Sequence, residues 1–375
     1  MVAVTPETTP DTSAAEDKVS VASNWTLVWW RFRKHRLAMV SAGLLIVFYA
    51  VVLAPDFFST QDPELTDARQ AFIPVQGLHL FDDDAVNPWV PGIVGKRNPV
   101  TLRMEWTTDA AKKLRVGFFV RGYPYRPFGL FDTNVHLVGA VDHSQRVFLL
   151  GSDRLGRDQW SRIMHGTQTS MTIGLVAVVL SVFLGVLLGG ISGYFGGLAD
   201  QIIQRLIELL QSVPTIPIWL ALAAALPRDW TPQQVFFAIT VILALVGWTT
   251  LAREVRGRFL SLREEDFVLA ADLAGASQGR IIFRHMVPTF LSHIIATSSL
   301  AIPVMIINET SLSFLGLGIR PPAISWGVLL QEAQNIQTLA LAPWLLIPGL
   351  LVIVAVLAFN LVGDGLRDAA DPYSH

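Results

Sequence analysis

A chain of 375 residues in which 52% are apolar and 15% charged departs from soluble globular proteins, which carry about 25% charge. Its formal net charge of −2 says nothing about nucleic acid, but no basic run is long enough for such a partner, and the absence of cysteine excludes disulfides and thiolate metal sites. Uncharged runs of about 18 to 25 residues recur, the length that crosses a hydrocarbon core about 30 Å thick, so the composition predicts an all-α polytopic membrane protein.

Residues 1–24 are rich in Thr, Ser, Ala, Pro and acids without periodicity and read as a disordered tail. Residues 25–55 hold a basic, aromatic cluster with Arg31, Arg33, Lys34 and Arg36, then an uncharged run from Leu37 to Pro55. That run is longer than a signal-peptide core, so it reads as an uncleaved first span with its basic flank in the cytoplasm. Residues 56–168 are then exported. They hold 13 basic and 13 acidic residues, which is compatible with export because long segments translocate largely regardless of charge. Within them, Pro and Gly punctuation and the runs Val100–Met104, Leu114–Val120 and Val135–Val141 predict a small β-rich extracytoplasmic insertion.

The membrane core is expected over 169–366. The second span runs from Met171 to Phe195, with Gly185, Gly189 and Gly193 at four-residue spacing, a stripe that lets a neighbouring helix approach closely. The plainer alternative is a glycine-tolerant helix with no special partner. An amphipathic segment, Asp200 to Gln211, leads to a third span broken at Pro214 and Pro217 and ending at Leu226. The fourth span is Val235 to Ala252. The fifth is Phe290 to Ile307 with Pro303 as a kink, and the sixth is Trp344 to Val362, before a tail at 367–375. Six spans from an inside N-terminus place 196–212, 253–288 and the C-terminus in the cytoplasm. The arginines at 253, 256, 258, 263, 280 and 284 agree with that side.

One cytoplasmic stretch stands out. From Glu264 the chain reads as a short helix whose Phe267, Ala270, Ala271 and Ala274 recur at i, i+3, i+4 and i+7. Asp266 supplies an acidic first turn and Gly275 the stop. A face of alanines lets another protein approach the backbone, which predicts a docking helix. The bland alternative is a solvated loop whose alanines only fill a helix.

The sequence carries no P-loop, no ligand-spaced His/Asp/Glu cluster and no nucleophile elbow, so no catalytic residue or metal site is predicted and the chain reads as a non-enzyme. The Asn24 and Asn308 triplets of the form Asn-x-Thr read as chance. Two ionisable groups in or near the fifth span, His293 and Glu309, are candidates for the translocation path. The alternatives are a helix-to-helix hydrogen bond for His293 and, for Glu309, a polar turn reaching interfacial water or capping the next helix. So few intramembrane charges argue against a self-powered secondary transporter, and the short cytoplasmic parts argue against a scaffold. The energy is expected to enter from another protein.

The residues at 269–288 resemble the EAA motif of bacterial ABC-importer permeases: Ala270, Ala271, Gly275 and Pro288 match in register, while Leu269, His285 and Val287 replace the usual Glu, Ile and Leu. Gly151–Gly166 (GSDRLGRDQWSRIMHG), Glu309–Leu330 and Asn360–Pro372 are similar to signatures of the dipeptide/oligopeptide permease family, "C"-type subunit. The likeness covers roughly 25–60 and 148–373; the stretch from about 70 to 147 is an insertion. This resemblance implies six helices of the type I importer kind in a bacterial cytoplasmic (inner) membrane, with both termini cytoplasmic. It implies as partners a second homologous permease subunit, two cytosolic ABC ATPase subunits and an extracytoplasmic solute-binding protein. ATP and Mg would be bound by the ATPase subunits, with no cofactor in this chain. The implied coupling residues are Asp266, Phe267, Ala270, Ala271, Ala274, Gly275 and Pro288. The implied cargo is di- or oligopeptides, with oligosaccharides, opines or nickel as alternatives. The aromatics Trp89, Trp106, Tyr123 and Tyr125 of the insertion are expected to seat the binding protein or cap the pore, or else to pack as a lid.

Overall fold

The computed structural model describes residues 24–82, 85–100, 104–227 and 229–370; the expected tail at 1–24 lies outside the described residues except for its last one. A short helix α1 (Asn24–Lys34) ends in Arg31, Arg33 and Lys34, and α2 (Arg36–Leu53) is the first span. Between them His35 caps α2, its Nδ1 accepting from Ala38 N at 3.1 Å. Phe32 and Ala38 pack on Ala369, so the first and last helices of the chain close against each other.

The helix α3 (Pro55–Phe58) turns the chain into a four-stranded antiparallel sheet of consecutive neighbours, β1 (His79–Asp82), β2 (Ala85–Arg97), β3 (Met104–Tyr125) and β4 (Thr133–Ala140). Its small core is Val90, Val116 and Val147. Of the run Val100–Met104, residues 101–103 lie outside the described residues, and Met104 opens β3. Asn98 Oδ1 accepts from Val100 N at 2.8 Å, an Asx turn that bends the chain before Met104 pairs with Arg97. The sheet is tied to the end of the first span: Tyr123 OH donates to Asp56 Oδ1 at 2.8 Å, and the buried His136 lies with Nδ1 2.7 Å from Asp56 O.

Among the described residues, five helical stretches are long and apolar enough to cross a membrane. Helix α4 (Gln159–Phe195) starts twelve residues before the expected Met171, because Asp158 caps it by accepting from Ser161 N at 2.8 Å. The last residues of the expected loop, 159–168, thus form the first turns of α4. With 37 residues, about 55 Å, α4 must extend beyond the hydrocarbon layer. The amphipathic segment and the broken third span form helices α5 (Gly197–Ser212) and α6 (Thr215–Ala224), which meet at 87°, so a sixth crossing exists only if the bent pair acts together. Pro214 accounts for the break, since it cannot continue α5, whereas Pro217 sits in the first turn of α6.

Helix α7 (Pro232–Leu262) opens with a capping box of Thr231 and Gln234 and runs ten residues past Ala252. Helix α8 (Asp266–Leu273) follows, then helical turns over 278–290 that run straight into α9 (Leu291–Phe314). Two short helices, α10 (Trp326–Glu332) and α11 (Ile336–Leu341), precede α12 (Ile347–Ala370). The helix α12 continues eight residues past Val362, into the expected tail as far as Ala370; the rest of that tail lies outside the described residues.

The longest seam joins α4 to α7, and the glycine stripe lies on it. A Cβ at Gly185 would come to 3.0 Å from Leu251 Cβ, at Gly189 to 2.4 Å from Ala252 O, and at Gly193 to 2.7 Å from Arg256 O. The two backbones approach because nothing stands between them. Gly189→Val is expected to force α7 away and lower stability in detergent by about 1–3 kcal/mol or more. Gly190→Ala, whose Cβ would meet only Phe259 Cζ at 3.4 Å, should change little. Thermal unfolding of both variants checks this: equal melting temperatures would mean the seam tolerates a side chain.

Candidate functional site

Helix α8 hangs between the long helix α7 and the 278–314 rod. It ends in a Schellman motif: Ala276 N donates to Ala271 O at 3.0 Å and Gly275 N to Asp272 O at 2.9 Å. Gly275 makes the turn at φ +75°, a conformation any Cβ would strain. One buried side chain, Val268, anchors the helix. It enters a cluster with Phe259, Ile281, Met286, Phe290 and Ile294, drawn from α7 and the rod. Ala271 and Ala276 lie partly buried against the same cluster.

The sequence reading placed Ala271 on the outer face. In the structure Ala271 turns inward with Val268, three residues before it. Phe267, Ala270 and Ala274 are exposed, and Leu269 and Leu273 join them, Leu273 at 90%. The outer face is thus more apolar than a phenylalanine and three alanines suggest. Pro288 starts the last short helical turn before α9, where its missing N–H removes no interior bond. His293 lies one turn inside α9, half exposed, with Nε2 3.3 Å from Glu254 Oε2 on α7. It is a helix-to-helix contact close to α8.

Glu309 also differs from expectation. The segment around it is not a turn: α9 continues to Phe314 and the carboxylate is fully buried. Its oxygens accept from Ser170 Oγ on α4 and from Ser313 Oγ, each at 2.8 Å. Those hydroxyls accept in turn from Trp326 N at 3.1 Å and Ile319 N at 3.0 Å. One carboxylate therefore knots α4, α9, α10 and the loop between the last two. Glu309→Leu would orphan two buried hydroxyl donors and is expected to lose about 1–3 kcal/mol for each. Glu309→Gln, which keeps one acceptor, should lose less. Thermal unfolding in detergent orders the two, and a Leu variant as stable as wild type would dissolve the knot.

A second cluster escaped the sequence reading altogether. Arg157 Nε lies 2.6 Å from Asp153 Oδ2 and its Nη2 2.7 Å from Glu332 Oε1, while the buried Arg162 pairs with Asp153 and lies 3.5 Å from Glu332. Burial pushes the Glu332 carboxyl up, against the pull of Arg162. The four charges fasten the turn at 153–157 and the start of α4 to α10. They come from the Gly151–Gly166 motif and from just beyond Glu309–Leu330, so the two signatures meet in space. Nothing local in either motif announces that meeting. The aromatics of the insertion are similarly occupied: Trp106 Nε1 donates to Ala71 O, Tyr125 OH to Val135 O, and Trp89 stacks on His79.

Long apolar helices packed through a glycine seam define a multi-span membrane protein. The family model "Binding-protein-dependent transport system inner membrane component" matches residues 185–373, and "N-terminal TM domain of oligopeptide transport permease C" matches 23–74. The chain is 36% identical to the oligopeptide transport system permease protein OppC of Bacillus subtilis, over 65% of this chain and 78% of that one. It is 38% identical to OppC of Escherichia coli K12, over 65% and 79%. It is 40% identical to a putative peptide permease protein of Brucella ovis, over 68% and 82%. The chain belongs to the binding-protein-dependent transport system inner membrane component family, in its OppC-like branch. It is a permease subunit of an ABC importer.

Proposed function

We propose that this subunit forms half of a translocation path for di- or oligopeptides and receives the power stroke through α8. The observation that carries the coupling is the exposure of Phe267, Leu269 and Leu273 on a helix anchored by Val268 to both α7 and the 278–314 rod. A partner that grips this face moves two membrane helices at once. A coupling of about 1–3 kcal/mol between such sites shifts affinities about 5- to 150-fold. The proposed partners are a second homologous permease subunit, two cytosolic ATPase subunits that bind ATP and Mg, and an extracytoplasmic solute-binding protein. Both termini then lie in the cytoplasm, on the side of α8.

Peptide as cargo rests on the names of the relatives at 36–40% identity. Oligosaccharides, opines and other small solutes remain the second reading, favoured by the insertion, which sets the exported side apart. Purified complex in proteoliposomes, loaded with ATP on the ATPase side, should accumulate a labelled tripeptide only when the binding protein is present. Accumulation of a sugar and not of peptides would replace the cargo. Uptake without any ATPase subunit would remove the coupling.

A further inference from the structure

The exported sheet ends in an apolar tip that none of the described residues covers. The β3–β4 turn runs from Arg126 to Asp132, whose side chains pair across its mouth. Between them Phe128, Leu130 and Phe131 are 73%, 78% and 60% exposed. Single exposed apolar residues are ordinary on any surface, but three on one seven-residue turn form a patch.

The turn's position says what covers it. The chain leaves the first span at Leu53, and three residues on, Asp56 meets Tyr123 and His136. Four residues further, Thr60 O faces Gly139. Moving away from the span along 56–60 therefore tracks β4 from 136 to 139, and the turn that precedes Thr133 lies toward the span. Phe57 and Phe119 add a ring contact at 6.2 Å beside it, with Phe119 exposed. On α2, Ile46, Val47 and Leu53 are exposed as well. The tip lies at the level where that apolar surface ends.

We propose that the β3–β4 tip inserts into the headgroup region of the bilayer where the first span ends, holding the sheet down on the membrane. Phe and Leu side chains gain by entering the boundary between headgroups and acyl chains, while flanking charges such as Arg126 and Asp132 stay wet. The insertion then has a fixed height and tilt, set at two points: the Asp56 seam and the tip.

The chain has no cysteine, so a single introduced thiol carries a unique spin label. Phe131→Cys and, separately, Leu130→Cys would be labelled in the full-length chain, assembled with its partner subunits in nanodiscs of phosphatidylethanolamine and phosphatidylglycerol. Val40→Cys on α2 is the lipid reference and Val94→Cys on β2 the water reference, both being exposed positions. The expected result is a collision ratio, oxygen over a water-soluble nickel chelate, several-fold above the Val94 value at both tip positions. A ratio equal to that of Val94 at either position overturns the proposal. So does a label reached by neither reagent, which would mean that a protein subunit, not lipid, covers the tip.

Discussion

Leu273→Asp is expected to abolish co-purification of the ATPase subunit while the chain still inserts into the membrane and folds. Leu273 is the most exposed residue of α8 and touches nothing in the anchoring cluster, so a charge there leaves the fold alone. At the centre of an apolar contact it removes a hot spot of about 2 kcal/mol, or about 30-fold in affinity, before the added desolvation of the carboxylate. Ala271→Arg is a poorer probe: its inward position means that arginine disrupts the Val268 packing as well. Pull-down from solubilised membranes, with thermal unfolding as the control, decides the matter. Normal ATPase recovery by Leu273→Asp would place the docking surface elsewhere.

Arg162→Met should produce the largest loss of stability of any single change considered. It leaves Asp153 facing only Arg157 and strips Glu332 of its buried partner. Removing one member of a buried ion cluster costs about 3–5 kcal/mol, because the remaining charges stay desolvated. The variant is expected to accumulate poorly, and its melting temperature should stay low at high salt, since buried pairs are screened little. Arg162→Lys should recover only part of the loss, because the shorter side chain does not carry its ammonium to the point where Nη1 meets both carboxylates. Wild-type stability in Arg162→Met would mean that water reaches the cluster.

Much of this molecule was readable from local pattern. The spans follow from uncharged length measured against the bilayer, and helix α8 from its periodicity and the Gly275 stop. The boundaries were less secure, since Asp158 starts α4 early by capping, and the 87° angle between the amphipathic segment and the short third span could not be read from the prolines. The orientation of α8 was not readable. Its helical period allowed Ala271 outside or inside, and only the meeting of Val268 with Phe259 and Phe290 settled the rotation.

The polar sites divide the same way. Glu309 could be singled out as a carboxylate at membrane depth, but its partner Ser170 lies 139 residues away. Arg157 and Glu332 are 175 residues apart, and neither looks unusual where it stands. The sequence by itself determined which segments enter the membrane and where the short helix α8 forms, because apolar length and periodicity are properties of neighbouring residues. The tertiary structure alone decided which faces are buried and which charges are paired, because those depend on where distant segments come to rest.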